Sequence, residues 1–196
     1  MSSIVLAGGR SLRLGRDKAQ EEIGGQRLID RVIERLKLLG DEIIVVTSSN
    51  NRIPNIGVRQ VHDSYPGKGA LVGIYSGLRE ATSQYNIVVG CDMPFLNIDL
   101  LKYITGVAVN FDIAIPRIAD QVEPLHAVYS RDCLAQMEEQ MKAGRFKVSD
   151  LLGSVKVRYV EGGEIDRFDP QHLSFLNINY KSDLEKARAM LIKESR

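Results

Sequence analysis

Residues 4–18, Ile4-Val5-Leu6-Ala7-Gly8-Gly9-Arg10-Ser11-Leu12-Arg13-Leu14-Gly15-Arg16-Asp17-Lys18, decide how the chain is read. Ile4 to Leu6 is a short apolar run and predicts a buried first strand. It gives way to Gly8-Gly9, where backbone N–H groups with no Cβ in the way can converge on phosphate oxygens. Arg10, Arg13, Arg16 and Lys18 then follow within one short loop. Two readings stand at this point, an ordinary strand-to-helix turn with solvated charges or a phosphate-binding loop. The four cations and Gly15 behind the glycine pair favour the second. The glycines at 8, 9 and 15 lack Gly-x-Gly-x-x-Gly spacing, and Gly15 is followed by Arg16-Asp17-Lys18 rather than Lys and Ser/Thr, so neither the dinucleotide fingerprint nor the P-loop is present.

Outward from this loop, strand-like and helix-like segments alternate, the pattern of a parallel sheet covered on both faces. Leu28, Ile29, Val32, Ile33, Leu36 and Leu39 recur at helical spacing, and Gly40 is expected to close that helix. Ile43 to Val46 predicts a second buried strand, Val58 to Val61 a short edge strand, and Leu71, Ile74 and Leu78 a helix whose Gly73 and Gly77 let it lie close to the sheet. Ile87 to Val89 predicts a central strand running into Cys91-Asp92-Met93-Pro94. Beyond it, strands are expected at Ile113 to Pro116, Leu125 to Tyr129 and Val155 to Val160, with a helix from Arg131 to Ala143. Ser182 and Glu185 fit a capping box at the start of a last helix.

The 196 residues, 44% of them hydrophobic, suit one domain, with a nucleotide-binding half near 1–105 and an acceptor half near 106–196. A net charge of +1, from 26 basic and 25 acidic residues, gives no long-range field for nucleic acid or a membrane surface, so anion binding must be local. Cys91 and Cys133 have no disulfide or metal spacing and point to a reducing compartment. Met1 to Ala7 lacks the basic leader of a signal sequence, and the expected location is the cytoplasm.

Asp92 is expected at the carboxyl end of a central strand, the edge at which open α/β sheets bind ligands. A carboxylate there, beside phosphates, is placed to hold Mg²⁺. The alternative is that Asp92 caps a helix starting near Pro94. Asp63 reads either as a nucleotide contact or as a plain loop residue. Gly67-Lys68-Gly69 with Gly73 has the look of a dinucleotide loop but follows a weak strand. His126 sits in an apolar strand and is assigned to packing.

Leu6-Ala7-Gly8-Gly9-x-Ser11-x-Arg13-x-Gly15-x-Asp17-Lys18 resembles the signature of the molybdenum cofactor guanylyltransferase family. Asp63 ahead of Gly69 to Ile74, Cys91 to Leu96, and Phe175-Leu176-Asn177-Ile178-Asn179 agree with it in order and spacing, so the resemblance spans nearly the whole chain. It implies a Rossmann-like three-layer α/β/α nucleotidyltransferase fold with a mostly parallel sheet. It further implies Leu6, Ala7, Gly8, Gly9, Lys18, Asp63 and Asp92 as nucleotide contacts, Lys18, Arg13 and Asp92 as catalytic residues, and Asp92 as the Mg²⁺ ligand. Pro124-Leu125 and Gly144-Arg145 match segments that face the second substrate. Leu14 stands for the usual Met, and Thr47 or Ser48 stands where some members have Asn near the nucleotide.

The implied reaction moves GMP from GTP to the phosphate of (Mo-)molybdopterin, with other molybdenum cofactor biosynthesis proteins or recipient molybdoenzymes as protein partners. The rivals are a molybdopterin cytidylyltransferase, a sugar-phosphate or isoprenoid-precursor nucleotidyltransferase and, from another class, an inactive nucleotide-binding regulatory domain.

Overall fold

The run Ile43-Ile44-Val45-Val46 and its counterpart Ile87-Val88-Val89 are β-branched on both faces, which suits strands covered by helices above and below. A computed structural model describes residues 1–8, 18–40, 42–48, 52–63, 65 and 68–194 and bears out that expectation. Along the chain come β1 (Ser2–Leu6), a short hairpin of β2 (Glu22–Ile23) and β3 (Gln26–Arg27), α1 (Leu28–Lys37), β4 (Glu42–Thr47), β5 (Arg59–His62), α2 (Ala70–Glu80) and β6 (Tyr85–Gly90). The second half adds α3 (Ile98–Val107), β7 (Ile113–Ile118), β8 (Gln121–Val122), β9 (His126–Ser130), α4 (Cys133–Lys142), α5 (Val148–Leu152), β10 (Val157–Glu161), α6 (Gly162–Ile165) and α7 (Lys181–Glu194).

One sheet runs through both halves in the order β10-β7-β9-β6-β1-β4-β5, with β8 paired to β7. β5, β4, β1 and β6 are mutually parallel, so Leu6 aligns with Val46 on one side and with Gly90 on the other. β9 runs antiparallel between β6 and β7, placing Val89 opposite His126. Because β9 is reversed, its entry turn lies at the same sheet edge as the carboxyl ends of β1, β4 and β6.

The side-chain alternation of each strand divides the core in two. Val5, Val45, Ile87 and Val89 pack with Val32, Ile33, Leu36, Leu100, Leu101 and Ile104 of α1 and α3. Ile4, Ile44, Val88 and Tyr129 pack with Leu71, Ile74, Leu78 and Met137 of α2 and α4 on the other face. Each fully buried Leu or Ile contributes about 2 kcal/mol of apolar transfer energy. A Cβ at Gly77 would come within 2.5 Å of Ile4 Cγ2 and one at Gly73 within 3.3 Å of Leu6, so the two glycines set how near α2 lies to β1. A third, smaller cluster of Ile23, Leu28, Phe95, Ile178, Leu184 and Ala187 anchors the last helix beside β2.

Two local expectations are corrected. α1 ends at Lys37 with Leu38 as its cap, and Gly40 instead fills a tight spot where a Cβ would stand 2.9 Å from the Met1 carbonyl oxygen. α7 begins at Lys181, which puts Ser182 inside its first turn. The carboxylate that meets the backbone ahead of the helix is Asp183, which accepts from the N–H groups of Asn179 at 3.0 Å and Tyr180 at 2.8 Å.

Candidate active site

The carboxyl edge of the sheet is stitched one residue beyond its strands. Ala7 N–H donates to Val46 O at 2.8 Å and Cys91 N–H to Leu6 O at 3.1 Å, so the chain leaving β1 is held between β4 and β6. Leu6 and Ala7 thereby bring Gly8 to the surface. A Cβ there would stand 3.3 Å from the Ser48 backbone nitrogen, tighter than side chains ordinarily pack. Gly8 thus combines close backbone approach with an exposed position, which is what a phosphate-facing turn requires. Gly9 and Arg13, like Arg10 and Arg16, lie outside the described residues, as does Gly67.

Lys18 opens a short 3₁₀ turn over Lys18–Gln20, and its Nζ lies 3.1 Å from Asp92 Oδ2 while donating a hydrogen bond to Asn179 Oδ1. Both ion-pair side chains are largely shielded, at 19% and 16% exposure, so the pair sits in a recess. A second tie fixes the third member, since Ile178 N–H donates to Asp92 O at 2.9 Å. Three segments remote in sequence thus meet at the end of β6. Sequence pattern alone gives Asn179 no role of its own, although Asn177-Ile178-Asn179 before the final helix is the available signal.

The geometry separates the two sequence readings of Asp92. α3 begins at Ile98 and is capped by Asn97, whose Oδ1 accepts from Leu100 N–H at 3.0 Å, so Asp92 caps no helix. A Cβ at position 90 would stand 2.6 Å from Asp92 Oδ1, so Gly90 leaves the space into which this carboxylate folds back. That cradle fits a hard cation that takes one protein carboxylate and draws its other ligands from phosphate and water. Among the described residues no group of three or more His, Cys, Asp or Glu side chains forms an all-protein metal cage.

Asp63 follows β5, three strand spacings, or about 14 Å, from the end of β6. Its N–H donates to Thr47 O at 2.8 Å and its Oδ1 accepts from Tyr65 N–H at 3.0 Å. Burial pushes the Asp63 carboxyl above its usual range, against the pull of that hydrogen bond. Asp63 and the Lys18–Asp92–Asn179 group therefore bracket Gly8 from opposite sides. Thr47 is buried, its hydroxyl donating to Val61 O at 3.4 Å and lying 3.2 Å from His62 Nδ1, so its side chain faces β5. Ser48 follows it at the sheet edge, its backbone nitrogen 3.3 Å from where a Gly8 Cβ would stand.

His126 is fully buried and stacks edge-on against Phe175, ring centroids 4.6 Å apart. Burial pushes its imidazole down to about 4. A folded-state value below that of the unfolded chain means that the unfolded chain takes up the extra proton as pH falls. The resulting stability is complete above about pH 6.5 and is lost toward pH 4, amounting to about 3 kcal/mol. Urea unfolding of wild type and His126→Leu at pH 7 and pH 4.5 checks this. The wild type is expected to lose more stability than the variant between the two pH values, and equal losses would refute it.

Residues 3–157 match the model of the MobA-like NTP transferase domain. A probable molybdenum cofactor guanylyltransferase of Pelotomaculum thermopropionicum is 37% identical over 189 residues, covering 96% of this chain and 92% of the relative. The molybdenum cofactor guanylyltransferase of Desulfosudis oleivorans is 35% identical over 195 residues, covering 97% and 96%. Among solved structures, the molybdopterin-guanine dinucleotide biosynthesis protein A of Archaeoglobus fulgidus superimposes with a TM-score of 0.86 at 27% identity, covering 98% of this chain and all of that one.

Proposed function

The chain belongs to the MobA-like NTP transferase family, and from that premise we infer that this nucleotidyltransferase moves GMP from GTP to the terminal phosphate of molybdopterin, releasing pyrophosphate. The observation that carries the reading is the meeting of Lys18, Asp92 and Asn179 beside Gly8 in a chain whose relatives, matched nearly end to end, are named guanylyltransferases.

The acceptor phosphate is a monoester with a second pKa near 6 and is largely dianionic at neutral pH, so its oxygen needs no general base. That oxygen forms a bond to the α-phosphorus of GTP. The bond from the α-phosphorus to the bridging oxygen breaks, and pyrophosphate leaves with the electron pair. Gly8 presents backbone to the polyphosphate. Lys18 carries the cation that neutralises charge on the departing oxygens, and Asn179 orients that cation. Asp92 would hold Mg²⁺, which when bound supplies charge neutralisation between phosphate oxygens.

Proteins of molybdenum cofactor biosynthesis and recipient molybdoenzymes are the partner class that follows from such a product. Cys91 and Cys133 are both buried thiols, which supports the cytoplasm as its location. No helix among the described residues is long and apolar enough to cross a membrane.

Incubation with Mg²⁺, molybdopterin and each nucleoside triphosphate in turn, with mass analysis of products, tests the reading. The guanine dinucleotide and pyrophosphate are expected from GTP. A cytosine product from CTP in its place would replace guanylyl with cytidylyl transfer, and nucleotide binding without any product would leave a regulatory domain.

A further inference from the structure

The turn leading into β9 keeps two polar groups that the mechanism above does not use. Glu123 is half-buried, with its backbone fixed on both sides: its N–H donates to Pro116 O at 3.0 Å and its carbonyl accepts from His126 N–H at 3.1 Å. Among the described residues, no donor and no cation meets its carboxylate. Burial, with nothing to offset it, pushes that carboxyl above its usual range. Three positions on, His126 is fully buried with neither ring nitrogen hydrogen-bonded. His126 has no exposed surface and stays a packing residue, whereas the half-exposed carboxylate of Glu123 lies open at the sheet edge to donors from outside the protein.

Its place in the sheet says what would complete it. Leu125 O accepts from Gly90 N–H at 3.2 Å, which ties the turn to β6, the strand that leads into Asp92. β9 lies one spacing, about 5 Å, from β6, on the side away from β1, β4 and β5. Gly8 and Asp63 are thus on one side of Asp92 and Glu123 is on the other. In-line transfer places the nucleophile opposite the leaving group, so the acceptor approaches from the side on which Glu123 stands.

We propose that Glu123 recognises the heterocycle of the acceptor, its carboxylate taking two parallel N–H bonds from the 2-amino-4-oxopyrimidine edge of a pterin. The assignment rests on the reading of the acceptor as molybdopterin. The N3–H and 2-amino groups of that edge are adjacent donors that match the two oxygens of one carboxylate. A 2-oxo heterocycle would turn a carbonyl toward the same carboxylate and be rejected by repulsion between acceptors. Guanine carries a similar donor edge, but it belongs to the nucleotide, whose loop is on the far side of Asp92.

The decisive measurement is steady-state guanylyl transfer by Glu123→Gln, which exchanges one acceptor oxygen for a donor at nearly constant size. The KM for molybdopterin is expected to rise at least about tenfold while kcat at saturation and the Kd for GTP change little. In competition experiments 6-hydroxymethylpterin should inhibit the wild type better than its 2-oxo counterpart, 6-hydroxymethyllumazine, and the preference should shrink in Glu123→Gln. Glu123→Asp, which keeps the charge on a shorter arm, should fall between the two, and equal thermal midpoints for all three proteins would exclude unfolding as the cause. A variant that makes product with an unchanged molybdopterin KM overturns the role of Glu123 and leaves guanylyl transfer standing. A wild type that makes no dinucleotide overturns the transfer reading, and this assignment with it.

Discussion

Replacing Asp92 with Asn is expected to lower guanylyl transfer by about 10³-fold at a Mg²⁺ concentration that saturates the wild type, because the one carboxylate that meets Lys18 among the described residues loses its charge while keeping its shape. The fold should survive the change. The Asp92 side chain is largely shielded, but Asn keeps its size and an oxygen that can accept from Lys18 Nζ, so the recess stays filled and hydrogen-bonded. The tie from Ile178 N–H to the Asp92 carbonyl is made by backbone and persists in the variant. A thermal midpoint near that of the wild type together with a collapsed rate is therefore the expected pair of results. Retention of more than a tenth of the wild-type rate would remove Asp92 from the reaction. Raising Mg²⁺ in the same assay separates a weakened metal site, which excess metal restores, from a residue needed for another reason.

The companion change, Lys18→Met, removes the cation and keeps the apolar stem. Turnover is expected to fall about 10²- to 10³-fold, mostly in kcat, since in the proposed reaction the charge serves oxygens that become more negative as the bond to the leaving group breaks. Lys18→Arg should recover little of this. A guanidinium is larger and planar, and the recess between Asp92 Oδ2 and Asn179 Oδ1 accommodates a single ammonium. Pre-steady-state turnover with GTP and molybdopterin gives the measurement. A Lys18→Met enzyme at the wild-type rate would reduce the first loop to a structural turn.

How much of this was legible beforehand differs by element. The central strands and α2 were read close to their observed bounds because each carries a dense apolar run on one period, and Gly73 and Gly77 signalled the close packing on Leu6 and Ile4 that the structure shows. The reversal of β9 was not legible. Direction leaves no mark on side-chain alternation, and the hairpin that turns the chain round is built on Ala119 and Asp120, both at positive φ, without a glycine to mark it. Asp92 was legible as an edge carboxylate, yet only the cap supplied by Asn97 frees it from the helix-start reading. Asn179 and Glu123 could not have been picked out by local pattern. Their significance comes from residues brought beside them by long connections, Lys18 in one case and the end of β6 in the other.

The tie between Lys18 and Asn179 also has a temporal side, for the two are 161 positions apart. On the ribosome, the glycine loop and the Asp92 strand are made long before residues 177–179, and α7 is later still. A nascent or prematurely terminated chain could shape the anion-facing turn and still lack the amide that aims the lysine. In the proposed reaction, chemistry then arrives only with the last-made stretch, which brings the partner of Lys18.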